Sequence, residues 1–146
     1  MHPLRRSART TVTRRRFGAA TVLALVIVTG LMIHLLIADT PASDIAGDAL
    51  YAVAVYLFVV TVAPRWSPVV AAALAAAWCV GIELFQLTGI PMALGADFAP
   101  AMLVLGTVFD SRDLIVYPLA IVMAAAVDLA VARARSAAVA ARIRVA

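Results

Sequence analysis

Apolar residues run almost unbroken over four stretches of the chain, and polar residues collect between them. A helix rises about 1.5 Å per residue and the hydrocarbon layer is about 30 Å thick, so runs of this length predict spanning helices. The first covers 17–38 and is interrupted by His34. The second, 47–63, opens with Asp48 and stops at Pro64. The third, 67–90, is alanine-rich and contains Glu83 and Gln86. The fourth, 112–132, begins with Arg112 and Asp113 and carries Asp128 near its end. None alternates with period two, and backbone groups in lipid must be satisfied within the segment, which favours helices over barrel strands.

The intervening pieces read as turns. Residues 39–46 hold Pro41, Ser43 and two aspartates, and Pro64, Arg65, Trp66 and Pro68 make a tight reversal with an interfacial tryptophan. The third connection, 91–111, is long and moderately apolar, and a half-helix over about 93–108 is expected there. Asp97 and Pro100 leave too few uninterrupted apolar residues for a fifth span. The expected fold is therefore all-α: a polytopic four-helix transmembrane bundle with an additional short or re-entrant helix between the third and fourth spans. It divides into a basic tail (1–16), one transmembrane domain (17–132) and a second basic tail (133–146).

Composition sharpens this. Of 146 residues 65% are hydrophobic and 14% charged, whereas soluble domains run near 45–50% and 25%. One cysteine, Cys79, excludes a disulfide scaffold. The net charge of +4 is all arginine, and eleven of the twelve arginines fall on one side if both termini are cytoplasmic. That layout predicts a multi-pass protein of a plasma membrane with both ends on the cytoplasmic side. It also makes membrane lipids the expected partner, with anionic headgroups at the arginine tails. Nucleic acid is not expected, because no aromatic residues interleave the basic runs. Residues 13–17 resemble the start of a twin-arginine export signal, but further spans follow, so an uncleaved anchor is the preferred reading.

Polar residues inside a bilayer are costly, so they mark where chemistry would sit. With the third helix running to residue 90, Glu83 lies about 10 Å below the interface. Gln86 shares its face. His34 ends the first span; Asp48 and Tyr51 share a face at the start of the second, and Asp113 and Tyr117 at the start of the fourth. All four spans thus bring polar groups to one outer depth. Interhelical glue explains such groups taken singly, and Asp48 and Asp113 also suit helix N-termini. Glu83 needs a partner, for which Arg112, His34 and Gln86 are the candidates. His34, Asp48, Glu83 and Asp113 lack any recognised metal-ligand spacing, so no metal is expected. Cys79 reads as an inert helical thiol, and Asp128 as an inner-interface acid near Arg133. No phosphate loop, nucleophile elbow or Cys-x-x-Cys appears, so no cofactor is expected.

The segments Gly47-Asp48-Ala49-Leu50-Tyr51, Ile82-Glu83-Leu84-Phe85-Gln86-Leu87 and Asp113-Leu114-Ile115-Val116-Tyr117, with Gly106 and Phe109 before the last, resemble domain-of-unknown-function family 2809. That family is in turn similar to the VanZ-like proteins. The resemblance spans roughly 17–128 and implies a four- or five-helix envelope protein. It departs from the VanZ-like pattern at Tyr51, where a histidine is usual, and at Arg112, which adjoins Asp113 instead of preceding it by a distance.

Three functional readings follow. The first is a non-enzymatic protein with an outward-facing polar pocket of His34, Asp48, Tyr51, Glu83, Gln86, Arg112, Asp113 and Tyr117, which takes a lipid headgroup, envelope precursor or amphiphilic compound. The second is an intramembrane hydrolase or transferase on a lipid-linked substrate, with Glu83 and Asp113 as catalytic acid and base. The third is a small proton-coupled transporter, for which the third helix below Glu83 offers mainly alanine, valine and Trp78. The alanine-rich face of that helix is a candidate seam for a homo-oligomer.

Overall fold

The computed structural model describes residues 3–98, 100–106 and 108–145; the side chains of Arg5, Arg6, Arg9, Arg142 and Arg144 lie outside what it describes. Six helices follow in order: α1 (Pro3–Leu36), α2 (Pro41–Val62), α3 (Pro68–Gln86), α4 (Ile90–Asp97), α5 (Pro100–Leu105) and α6 (Asp113–Val145). Four contain segments long and apolar enough to cross a membrane: Thr11–Leu36, Pro41–Val62, Pro68–Gln86 and Asp113–Ala138. Between 6% and 28% of each such segment is buried inside the protein, so lipid must cover the rest. This is a multi-pass membrane protein.

Prolines set the starts. α2, α3 and α5 each begin on one, and α4 has Pro91 second, positions where the missing N–H is not needed. Ahead of α2, the Thr40 hydroxyl accepts from the Ser43 amide (3.2 Å), and the Ser43 hydroxyl accepts in return from the Thr40 amide (2.8 Å). This reciprocal cap explains why α2 begins six residues before the expected 47: Pro41, Ser43 and Asp44, read as turn chemistry, lie in its first turn. Thr40→Ala should cost about 1 kcal/mol, measured as a lowered unfolding midpoint in mixed micelles. Ser67 caps α3 in the same way, accepting from the Val70 amide at 3.2 Å.

Two further expectations need correction. The third span ends at Gln86, not 90, because Gly89 takes a left-handed conformation (φ 72°) and turns the chain into α4. The half-helix expected over 93–108 is two short helices that begin at Ile90 and Pro100. α4 ends where Phe98 leaves the helical region (φ −143°, ψ 88°), and α5 starts afresh on Pro100.

α2, α3 and α6 pack on one another, whereas α1 packs on α2. Each of the three central helices turns a stripe of four-residue steps inward: Ala52, Tyr56 and Val60 on α2; Ala71, Ala75 and Cys79 on α3; Tyr117 and Ile121 on α6. Small residues on α3 let the backbones approach closely, and Tyr56 and Ile121 fill the space that remains. The covered side of α1 is narrower: Val12, Arg15, Ala19, Leu23, Val26, Gly30 and Ile33, with Ala20 beside them. Spacings of three and four give the 3.5-residue seam of a two-helix coil, so α1 lies along α2 as an outrigger.

Candidate functional site

Extending the three central stripes one more turn, toward the end where α5 meets α6, brings each to a carboxyl. Asp48 lies four residues before Ala52, Glu83 four beyond Cys79, and Asp113 four before Tyr117. The helical period therefore delivers three acids from three helices to one level of the bundle. Glu83 is 0% exposed and Asp113 7%; Asp48 is partly covered. The Tyr117 hydroxyl lies 3.1 Å from Asp113 Oδ2 and 3.3 Å from Glu83 Oε1. Glu83 Oε2 accepts from the Asp110 amide at 3.2 Å. Asp48 and Glu83 both neighbour Asp113 across the helices.

The cluster is short of donors. Tyr117 has one hydroxyl proton for two carboxyls, and ionised carboxylates only accept. Asp113 Oδ1 and Gln86 Oε1 are buried with no donor. Arg112 does not relieve this: it is exposed and its Nε donates to Asp110 Oδ2 (2.7 Å), with a second contact from its Nη2 to the same oxygen. That guanidinium holds the Asp110 carboxyl below its ordinary value, and Asp110 in turn raises Arg112.

A polar collar joins the cluster to the segment above it. The Gln86 amide nitrogen donates to the Leu105 carbonyl (2.8 Å). Trp78 Nε1 donates to the Tyr51 hydroxyl (3.1 Å), which donates to the Val104 carbonyl (2.7 Å). The rings of Tyr51 and Tyr117 meet at 5.9 Å with a 55° tilt. Gly106 holds φ 64°, and a Cβ there would collide with the Gln86 amide nitrogen, so glycine serves both the backbone and the close approach.

Of the eight residues expected together, Asp48, Tyr51, Glu83, Gln86, Asp113 and Tyr117 converge. His34 is exposed near the end of α1, which packs on α2 and adds Ala19 to the buried core, and Arg112 turns to Asp110. Glu83 is therefore partnered by the Tyr117 hydroxyl and a backbone amide, not by Arg112, His34 or Gln86. Depths change too. Because α2 begins at Pro41, Asp48 sits two turns down, about 10 Å, and no longer reads as a helix-opening acid. Because α3 ends at Gln86, Glu83 is only about 5 Å from its end. Among the described residues no group of three His, Cys, Asp or Glu is arranged to hold a metal ion.

The opposite end holds a node that the sequence reading missed. Arg15 donates to Asp128 Oδ2 (2.6 Å) and to the carbonyls of Pro64 (2.8 Å) and Trp66 (2.5 Å). The Tyr56 hydroxyl donates to the same Asp128 oxygen at 2.9 Å. Arg16 reaches the Val62 carbonyl (3.3 Å), so two arginines serve the open carbonyls where α2 ends. Asp128, expected beside Arg133, thus binds α1 and α2 instead. A signal for this was present: steps of four and three from Ile121 through Ala125 put Asp128 on the inward stripe of α6.

A family model described as a protein of unknown function, DUF2809, matches residues 37–121. The six converging residues fall inside that match; His34, Arg15 and Asp128 fall outside it. No curated protein and no solved structure matches the chain.

Proposed function

Since this chain belongs to the DUF2809 family of proteins of unknown function, we propose its role from the cluster itself: a binding site, opening toward the outer leaflet, for an amphiphile whose headgroup carries hydrogen-bond donors, an ammonium foremost. The donor shortage carries this reading. When ionised, the three carboxyls have one phenol and one backbone amide to serve them, and the Gln86 carbonyl oxygen, near Glu83 in sequence, is buried without a donor. A primary ammonium brings three donors and the opposite charge. A lipid headgroup, an envelope precursor and a cationic drug share that chemistry. Kinship with the VanZ-like proteins, residence in a bacterial cytoplasmic membrane and cytoplasmic termini belong to the same proposal; Arg15, Arg16 and Arg65 lying together at the far end supports the orientation.

Binding is preferred over proton-coupled transport because the level below the cluster is lined by Ala52, Ala75, Cys79 and Ile121, all buried and apolar. Below them the Arg15–Asp128 pair closes the far end. The test uses the full chain in lipid nanodiscs and the thermal midpoint of its helical signal. Dodecylamine at a hundredfold excess over its Kd is expected to stabilise the fold by about 2.7 kcal/mol. Dodecyltrimethylammonium, which has charge but no N–H, should do markedly less. Equal responses from the parent and from Asp48→Asn would overturn the reading.

A further inference from the structure

Gln86 is the last residue of α3, where a side chain ordinarily meets the interface, yet it is 7% exposed, and Glu83 one turn below is fully buried. Their cover includes the C-terminal end of α5, whose Leu105 carbonyl lies on the Gln86 amide and whose neighbour Gly106 touches the same nitrogen. α5 is unlike the other helices in how it is held. None of its residues is buried, and its substantial helix packing is on α4, where Met102 fills the space left by the absent side chain of Gly95. Toward the bundle it is held by two side-chain hydrogen bonds, from Tyr51 to Val104 and from Gln86 to Leu105. α4 differs, since its Pro91 is among the most deeply buried residues of the chain.

We propose that α5 is a strap which lifts from the carboxyl cluster to admit a headgroup from the outer leaflet, with Tyr51 and Gln86 as the catches that return it. The inference rests on the binding reading above and supplies its gate. Elements with little buried apolar contact sit at the low end of the local stability scale, so α5 opens far more often than α2 or α3. Its exposed apolar residues, Leu103 at 54% and Val104 at 50%, suit a piece that moves within the interfacial layer. Both catches are also members of the cluster, so a headgroup that bonds Gln86 or Tyr51 competes with the closed strap. Occupancy and opening are thereby coupled without any shift of the three central helices.

Amide hydrogen exchange of the full chain in nanodiscs, without added amphiphile, tests this. The Gly106 amide, bonded to the Met102 carbonyl at 3.0 Å, is expected to exchange at least 100-fold faster than amides around Ala52. Tyr51→Phe should speed it a further roughly tenfold, the change that one lost hydrogen bond of ordinary net worth gives, with the α2 amides unmoved. Met102→Ala, which loosens the packing on Gly95 and leaves both catches in place, should speed it in the same sense. Protection at Gly106 equal to that at Ala52, or indifference to both substitutions, overturns the strap. Because no ligand is present, fast exchange in a chain that ignores dodecylamine would retain the strap and sink only the binding reading.

Discussion

Arg15→Met is expected to lower the stability of the folded chain by about 3 kcal/mol, and Asp128→Asn by a comparable amount. Each side chain of this pair is 19% exposed, so solvent screens the interaction weakly. Arg15 serves the Asp128 carboxylate and two carbonyls of the α2–α3 turn, and its loss leaves all three to the membrane boundary, with Tyr56 as the one remaining donor to Asp128. Packing does not compensate, because α1 meets the rest of the protein through its narrow seam on α2. In a double-mutant cycle read by circular dichroism during reversible unfolding in mixed micelles, the two changes should couple by more than about 1 kcal/mol. Additive losses, or an Arg15→Met chain within about 0.5 kcal/mol of the parent, would reduce the node to an incidental surface contact.

Substitutions at Glu83 should separate stability from binding. Glu83→Ala removes the acceptor of the Asp110 amide and of Tyr117 and opens a hole in a fully buried place, for an expected loss of about 3 kcal/mol. Glu83→Gln keeps an oxygen for the Asp110 amide and turns an N–H₂ toward the donor-poor pair of Asp113 and Tyr117. It is expected to preserve stability or raise it by about 1 kcal/mol. The same amide fills the role proposed for an ammonium, so the dodecylamine response should vanish. A Glu83→Gln chain that is both destabilised by more than about 2 kcal/mol and fully responsive would contradict the donor count from both sides.

How far the sequence alone leads depends on the range of the interaction. Four spans and the turn at Pro64–Trp66 follow from local chemistry, and the structure keeps them, whereas the single half-helix expected over 93–108 is divided in two. The start of α2 was misplaced because Thr40 and Ser43 act together as a cap, and their composition looks the same in a turn. Within the cluster, i and i+4 spacing tied Asp113 to Tyr117, and i and i+3 tied Glu83 to Gln86, from the sequence outright. Their meeting across helices was an inference from shared depth, and it holds for three of the four spans. It failed for His34 because depth says nothing of azimuth: α1 meets the core at Ala19 but turns His34 outward. Arg112 was lost to a nearer acid, since Asp110 can reach it without crossing between helices. The Arg15–Asp128 pair joins residues 113 positions apart, and no local rule links them.

That separation bears on biogenesis. α1 and α2 can pair as soon as both have left the ribosome, since their seam apart from Arg15 is made between the two of them. Arg15, however, waits for an aspartate near the end of the last span. Until that span is inserted, a guanidinium stands beside the bilayer without its counter-ion and the α2–α3 turn keeps only part of its final support. A chain that stopped after the third span would leave Arg15 with the two carbonyls of the α2–α3 turn and no carboxylate.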